Sequence, residues 1–382
     1  MPTTSQPPCY ATTFTLPRTC ERGSAWRRLH TGFALGLLLL LSACQTPDAE
    51  WQKAAIAPVK AGQQVQLRVL HAVNPRFPRL TPEQLRDMLA ATQRTVKTHF
   101  GAEVVFTEVT ESDIAQLFAL LPRAIQTVSG GSIYDFKSGT GDRIKLADGI
   151  YKTLQQRGTK LAEAMAFARP YLPAATAPKD LREFSTVLAQ VMLERLEYWR
   201  KIRAADGAPV LDGSPYNEWV YWDALGYSAL SYDLVISNQL IASAEYVDVD
   251  VHSAIRGGVS VGTTSYSRNS RYGTFVFWST FPFTDDSANT RLLRGGEEYS
   301  PAEAAELSGM YLAHEIGHVL FQFGHPFGHS ACVMNPVSML RFREWSRQID
   351  ATGCQIGSLP EMKPGAVSVY FNAEWQKLTP KP

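Results

Sequence analysis

His314-Glu315-Ile316-Gly317-His318 is the run of residues that decides the fold of this chain, and the residues after it lead to Gly324 and His325. Two histidines four residues apart lie on one face of a helix, about one turn apart, where both imidazoles can reach a single Zn²⁺. Glu315 lies beside them, and its carboxylate can take a proton from a water molecule that zinc activates. The run therefore predicts a zinc site and a general base on one helix. The alternative is a pair of core histidines whose hydrogen bonds are satisfied inside the protein.

A long, mostly apolar helix is predicted around this run. Ser300, Pro301 and Glu303 have the pattern of a capping box with proline at the first helical position, so we expect the helix to begin there. Gly324 is placed to end it. Gly317 lies in the helix interior, where glycine is unfavourable, and this indicates that another backbone packs closely at that point. The apolar positions that recur at helical spacing are Leu307, Tyr311, Leu312, Ile316, Val319, Leu320 and Phe323.

A signal peptide is predicted near the N-terminus. Residues 33 to 41 are uninterrupted apolar residues that follow Arg27 and Arg28, and the stretch is too short to be a permanent membrane span. It ends in Leu41-Ser42-Ala43-Cys44, which resembles the lipobox of bacterial lipoproteins. A buried apolar helix fits poorly, because the stretch is N-terminal and a polar linker follows it.

The lipobox resemblance implies that residues 1–43 are removed and that Cys44 carries a lipid anchor. Residues 44–64 would then be the lipidated cysteine and a linker. Gln45, where some lipoproteins have aspartate, resembles the pattern of sorting to the outer membrane of Gram-negative bacteria. We therefore expect a lipid-anchored protein on the outer membrane, facing the periplasm or the cell surface.

The charge balance argues against a nucleic-acid partner. The chain has 37 Lys and Arg, 36 Asp and Glu, and a net charge of +1. It has no basic patch interleaved with aromatic residues, which nucleic-acid binding would need. Its 45% hydrophobic content is enough for a substantial core.

Two cysteines are expected to form a disulfide. Cys9 and Cys20 lie in the predicted signal peptide, and Cys44 is assigned to lipid. Cys332 and Cys354 remain, and in an oxidising periplasm such a pair most often becomes a disulfide.

The order of predicted elements indicates an α+β fold: a mixed twisted sheet, a long active-site helix and a helical insertion at about 111–230. A helix is expected from Thr81 to about Phe100, and helical segments from about Glu111 to Ala204. The predicted strands are 65–73, 104–109, 233–241, 257–264 and 274–281.

This order and the extended motif resemble the metzincin clan of zinc peptidases, and within it the archaemetzincin-like proteins. The resemblance implies a catalytic domain at 65–345 and a C-terminal extension at 346–382. It also implies that Met334 lies in a methionine turn beneath one zinc ion. The matching residues are His314, Glu315, His318, Gly324-His325 and Cys332-Val333-Met334-Asn335.

The third zinc ligand is where the chain departs from the clan pattern. The clan has glycine where this chain has Phe321, and its third histidine falls one residue before His325. The helix is therefore expected to run almost a turn longer, with His325 as the ligand after the turn at Gly324. His329 is the alternative, with acids such as Glu344 or Glu361 as remoter choices.

A weaker pattern is Gly257-Gly258-Val259-Ser260. In metzincins the strand above the metal is a sheet edge with which an extended substrate pairs, and two glycines would let a peptide approach closely. An ordinary strand with a β-bulge is the equal alternative. His252 and Arg256 could line the cleft, although such residues are more often solvated loop positions.

The sequence favours a zinc metalloendopeptidase of the bacterial envelope, acting on a peptide or protein substrate with Glu315 as general base. One alternative is a non-catalytic zinc-containing lipoprotein that binds an envelope partner. A second is a hydrolase of peptidoglycan stem peptides. Glu315 argues against the non-catalytic alternative, because a purely structural zinc site has no need of an acid there.

Overall fold

The computed structural model describes Val59 and residues 62–126, 133–242, 249–325 and 329–354. The predicted signal peptide, the lipidation site Cys44, nearly all of the predicted linker and residues 355–382 of the predicted C-terminal extension lie outside the described residues. Within the described ranges, no helix combines the length and apolar character that crossing a membrane requires.

The fold is mixed α+β, as the sequence predicted at this level. The strands are β1 (Gln64–Leu67), β2 (Val69–Val73), β3 (Glu103–Phe106), β4 (Thr110–Asp113), β5 (Tyr134–Asp135), β6 (Thr140–Gly141), β7 (Leu234–Ser237), β8 (Ile241–Ala242), β9 (Val259–Ser260), β10 (Gly262–Tyr266) and β11 (Thr274–Ser279). The helices are α1 (Pro82–Phe100), α2 (Ile114–Phe118), α3 (Arg123–Gln126), α4 (Arg143–Gln156), α5 (Leu161–Ala168), α6 (Leu181–Lys201), α7 (Trp219–Leu225), α8 (Val251–Arg256), α9 (Phe281–Thr284), α10 (Ala288–Leu293), α11 (Pro301–Phe321) and α12 (Phe342–Gln348).

The main sheet has five strands in the order β10-β11-β7-β2-β4. The neighbours from β11 to β4 are parallel, and β10 pairs antiparallel with β11 at one edge. Strands β7 and β11 are fully buried, as continuous apolar runs in parallel sheets usually are. The sheet is therefore mixed, with its antiparallel strand on the outside.

Alternate residues of the central strands enter two separate cores. Leu234 and Ile236 of β7 face the larger core, whereas Val235 faces the smaller one. Helix α11 crosses the larger core beside α1. On the other face, Trp222 of α7 stacks on Phe277 with ring centroids 3.6 Å apart.

Helices α1 and α11 pack at very short range. A Cβ at Gly309 would lie 2.1 Å from the backbone oxygen of Met88, so only glycine fits at this crossing. Thr92 Oγ1 donates a hydrogen bond to the Gly309 oxygen at 3.0 Å. This contact fixes the middle of α11 against α1. The two motif histidines follow in the last two turns of the same helix.

The predicted insertion at 111–230 is only partly separate from the sheet. Residues 110–113 form β4, which pairs parallel with β2 and completes the main sheet. Helix α7 also lies in this range and covers the smaller core. The helices that pack apart from the sheet are chiefly α4, α5 and α6, within residues 143–201.

One predicted strand is shorter than expected and another was wrong in position. The predicted strand 104–109 is present as Glu103–Phe106, which pairs with β1 in a parallel ribbon of two described strands. The predicted strand 257–264 is divided: Gly257 and Gly258 take φ of +62° and +75° at the end of α8, which interrupts any strand there. Only Gly262–Tyr266 joins the main sheet.

The predicted boundary between residues 345 and 346 falls inside α12, so it does not separate a domain from an extension. Beyond that helix the chain packs back on the domain, where the Asp350 N–H donates to the Ala331 oxygen at 2.8 Å. The predicted disulfide between Cys332 and Cys354 is confirmed. Residues 346–354 are thus part of the folded unit.

Candidate metal centre

Helix α11 begins where the sequence predicted. Ser300 is the N-cap, and its side-chain oxygen accepts a hydrogen bond from the Glu303 N–H at 3.2 Å. The Glu303 side chain does not complete the expected capping box. Its carboxylate instead accepts two hydrogen bonds from Arg343, at 2.6 and 2.8 Å. The cap therefore ties the start of the motif helix to α12.

The end of α11 differs from the prediction. The last helical residue is Phe321, and Gln322 takes the left-handed conformation with φ of 56°. The Gln322 N–H donates to the His318 oxygen at 3.1 Å, and the Phe323 N–H reaches the Gly317 oxygen at 3.4 Å. The first of these is the closing hydrogen bond of an αL-type helix end, with a non-glycine residue where glycine is usual. Gly324 does not stop the helix, and the helix does not run almost a turn longer.

Reversal of the chain at Gln322 brings a third imidazole to the motif pair. The Nε2 atoms of His314 and His318 are 3.2 Å apart, and His325 Nε2 lies 3.1 Å from the first and 3.0 Å from the second. These three histidines are the group in the described part of the chain that could hold a metal ion. His329, the alternative third ligand, is not a member of it.

Two backbone carbonyls orient the motif imidazoles. The Nδ1 atom of His314 lies 3.0 Å from the Val333 oxygen, and that of His318 lies 2.5 Å from the Phe323 oxygen. A carbonyl oxygen only accepts hydrogen bonds, so each Nδ1 must carry the proton. The tautomers follow from these partners, and each Nε2 presents a lone pair to the shared centre.

Burial keeps these imidazoles neutral. It lowers the pKa of His318 to about 4 and that of His325 to about 4, with repulsion from His318 adding to the effect at His325. The pKa of His314 is also well below its usual value, because of burial and then the two neighbouring imidazoles. Three lone pairs about 3 Å apart repel each other unless a cation lies among them. The donor set therefore suits a metal ion that prefers nitrogen ligands.

Glu315 adds a buried carboxylate to this centre. Its side chain is 7% exposed, and its Oε2 accepts a hydrogen bond from Thr264 Oγ1 at 2.8 Å. Burial raises the pKa of Glu315, while first the Thr264 hydrogen bond and then the electrostatic interaction with His325 oppose that shift. Its Oε1 accepts no hydrogen bond from the residues that the structure describes, so it is free to accept a proton.

The predicted methionine turn packs directly under the helix. The Asn335 N–H donates to the Cys332 oxygen at 2.9 Å, and the Met334 side chain is fully buried. A Cβ at Gly317 would lie 2.3 Å from Met334 Sδ and 3.0 Å from Phe100 Cζ. Gly317 thus admits two side chains, and the prediction that another backbone packs there was wrong.

Two residues of the site were not singled out as functional from the sequence. The Tyr311 ring stacks on His314, with centroids 5.1 Å apart and planes 28° from parallel. Its position three residues before His314 placed it on the same helical face, which was the available signal. Thr264 gave no signal, because its contact with Glu315 joins residues 51 positions apart.

The predicted substrate strand Gly257-Gly258-Val259-Ser260 is not the edge of the main sheet. Gly257 is buried, and a Cβ there would lie 2.7 Å from Arg195 Cβ, so no peptide can approach it. Val259–Ser260 pairs with β8 in a small ribbon. The edge strand beside the histidines is β10, which carries Thr264. His252 packs on Phe167, with ring centroids 4.1 Å apart.

The centre as a whole combines three convergent imidazole nitrogens, a carboxylate with one free oxygen and a sheet edge. Such a set can bind a metal ion and accept a proton at the same centre. Comparisons of the chain with protein-family models, with curated proteins and with solved structures found no match.

Proposed function

We propose that this protein is a zinc-dependent peptidase with a metzincin-like fold. The observation that carries the proposal is the convergence of three Nε2 atoms, 3.0–3.2 Å apart, with the Glu315 carboxylate next to them in sequence and within electrostatic reach of His325. A structural zinc site normally closes with four protein ligands, whereas three leave a position for a reactant. The described residues supply three.

Zinc is the metal that we propose for this donor set, because imidazole nitrogens are common zinc ligands. Two ligands about 2.0–2.1 Å from a tetrahedral Zn²⁺ lie roughly 3.3 Å from each other. The nitrogen separations here are slightly shorter than that, and modest side-chain rotations would accommodate the ion. When bound, Zn²⁺ would supply Lewis acidity that lowers the pKa of a water molecule and polarises a substrate carbonyl.

Glu315 would act as the general base and then as the proton donor. Its raised pKa places the carboxylate nearer the range in which a base can both accept and return a proton. Thr264 holds one oxygen, so the other keeps a fixed direction when the proton moves. The Glu315 residue would take the proton of the attacking water and pass it to the leaving amine.

Strand β10 would hold the substrate. It pairs with β11 on one side, and the described part of the sheet has no strand on its other side. An extended peptide that adds to this edge forms backbone hydrogen bonds whatever its side chains are. Thr264 lies in the middle of the strand, so a peptide on this edge would pass close to Glu315.

The lipobox sequence at Cys44 supports an envelope location for this activity. We propose that lipid at Cys44 anchors the protein to the outer membrane. Peptide bonds of envelope or imported proteins would then be the substrates, and peptidoglycan stem peptides are the competing substrate class.

The test compares Glu315→Gln with Glu306→Gln in the full chain. Glu306 is an exposed acid on the same helix, so its variant controls for charge and expression. Both variants should bind one zinc per chain, measured by elemental analysis. Glu315→Gln should cleave casein or a peptide library about 10²- to 10⁴-fold more slowly, because general-base catalysis contributes that much.

Four results decide between the hypotheses and test the role of Glu315. Loss of cleavage after chelation, with recovery on zinc addition, supports the peptidase. Cleavage of purified sacculi but not of casein would mean that the substrates are peptidoglycan stem peptides. Zinc binding without cleavage of either would leave the non-catalytic lipoprotein, and Glu315→Gln activity within tenfold of wild type would remove Glu315 from the mechanism.

A further inference from the structure

The disulfide lies directly beside the metal centre. Cys332 is fully buried, and the two residues after it both contact the motif helix α11. Val333 supplies the oxygen that lies 3.0 Å from His314 Nδ1. Met334 packs beneath Gly317, where a Cβ would lie 2.3 Å from the methionine sulfur. The disulfide-bonded Cys332 is therefore one residue away from the carbonyl that orients a candidate metal ligand.

Little besides the disulfide joins the turn at Cys332 to the chain after α12. Within the described residues, the one hydrogen bond between them runs from the Asp350 N–H to the Ala331 oxygen, at 2.8 Å. Gly353 packs on the same oxygen, where a Cβ would lie 2.0 Å away. The Cys332 sulfur itself accepts a hydrogen bond from the Met334 N–H at 3.4 Å. Breaking the S–S bond would therefore remove the covalent link and free the sulfur that this N–H contacts.

The two sulfurs differ in access. Cys354 is partly exposed, whereas Cys332 is fully buried, so an incoming thiolate reaches the Cys354 sulfur. The thiolate of a dithiol reductant would form a bond to that sulfur, and Cys332 would leave as a thiolate and take up a proton. The second thiol of the reductant then displaces Cys354, which is also protonated. Two electrons and two protons thus pass to the protein, and the dithiol becomes a disulfide.

We propose that the Cys332–Cys354 disulfide positions the Val333 carbonyl for His314, so that reduction of the disulfide weakens zinc binding. Loss of such a partner of a metal-bound histidine costs about 10- to 100-fold in metal affinity. The orienting carbonyl of His318 belongs to another segment, the residues directly after α11, so reduction weakens the site without abolishing it. The inference rests on the metal centre of the proposed function and not on peptide cleavage.

Zinc affinity in the two redox states tests this directly. Competition with a chromogenic chelator measures it for the full chain as oxidised, after reduction with a phosphine, and after reoxidation. Zinc should bind about 10- to 100-fold more weakly to the reduced protein and recover on reoxidation. The double variant Cys332→Ala/Cys354→Ala should have the weaker affinity in both conditions. It also controls for zinc bound by the reductant or by the other cysteines.

Thermodynamic linkage gives a second measurement that does not depend on the cysteine variant. If reduction weakens zinc binding, zinc must favour the disulfide by the same factor. Wild type is equilibrated in glutathione redox buffers with saturating zinc and without zinc. Zinc should make the midpoint potential more negative, by about 30 mV for each tenfold difference in zinc affinity. His325→Ala, which lacks one ligand, should show a much smaller shift.

The outcomes separate this inference from the metal centre itself. Equal zinc affinity of the oxidised and reduced protein, or a midpoint potential that zinc does not move, would overturn the redox proposal and leave the metal centre standing. Wild-type affinity in the double variant would do the same. Failure of the oxidised protein to bind zinc would overturn both.

Discussion

Thr264 Oγ1 donates a 2.8 Å hydrogen bond to Glu315 Oε2, and this contact joins the edge strand β10 to the motif helix α11. The hydrogen bond stabilises the ionised carboxylate against its burial, since Thr264 lowers the pKa that burial raises. The strand that would hold a substrate and the residue that would act as base are therefore directly coupled.

Thr264→Val should move the acidic limb of the activity profile to higher pH. A general base works when deprotonated, so activity falls as the pH drops through its pKa. Removing a stabilising hydrogen bond raises that pKa, and a loss of about 1.5 kcal/mol corresponds to roughly one pH unit. The measurement is kcat/KM against pH for the zinc-loaded enzyme. Thr263→Val, at the neighbouring position of β10, is the control. The same acidic limb in the pH profiles of both variants would contradict the coupling between Thr264 and Glu315.

His325→Ala should weaken zinc binding sharply, whereas His329→Ala should not. His325 Nε2 lies within 3.0–3.1 Å of both motif nitrogens, and His329 is outside the group. Competition with a chromogenic chelator measures the affinity of each variant. A sharp loss in the His329 variant alone would show that the chain after Gln322 takes another path in the metal-loaded protein.

Cys354→Ala should lower the free energy of unfolding by about 3 kcal/mol, the value expected for closing a loop of this length. The disulfide joins residues 22 positions apart and holds Cys332 in place. The next residue, Val333, supplies the oxygen that orients His314. Denaturant unfolding measures the change. Wild type and variant should become equally stable in reductant, and alkylation of Cys332 in unreduced wild type would mean that the bond is absent.

Cys44→Ala should abolish lipidation, because the lipid is expected on that thiol. Labelled palmitate should enter wild type but not the variant, and the variant should leave the membrane fraction or remain unprocessed. Cys354→Ala is a suitable labelling control. Incorporation of palmitate into the Cys44 variant would show that the lipobox interpretation is wrong.

Local geometry explains which parts of the site the sequence could predict. Ser300 and Pro301 start the helix through contacts within one turn, and the 3.6-residue period alone puts His314 and His318 on one face. The disulfide was predictable because the pairing had few alternatives once Cys44 was assigned elsewhere. Each of these inferences depends only on residues close in sequence or on the small number of cysteines left to pair.

The sequence favoured His325 as the third histidine, but the choice between His325 and His329 and the position of the helix end required the tertiary structure. A glycine at position 324 looked like the natural stop, but Gln322 takes the left-handed conformation instead. That conformation is unfavourable for a non-glycine residue. The surrounding packing compensates for it, since Phe321 and Phe323 both pack on Phe100, with ring centroids 5.0 and 5.6 Å away. No local pattern could predict where those contacts would turn the chain.

By itself the sequence determined a helix with a paired-histidine face, an adjacent acid and a disulfide, because each depends on periodicity or on few possible partners. Only the tertiary structure decided between His325, which the sequence favoured, and His329 as the third member of the histidine group, and showed that Gly262–Tyr266 is the edge strand and that Thr264 holds Glu315. These contacts join residues far apart in the chain, and their free energies depend on how whole elements pack. For that reason Gly257 and Gly258 lie at the end of α8, where Gly257 packs against Arg195, and not on a sheet edge open to substrate.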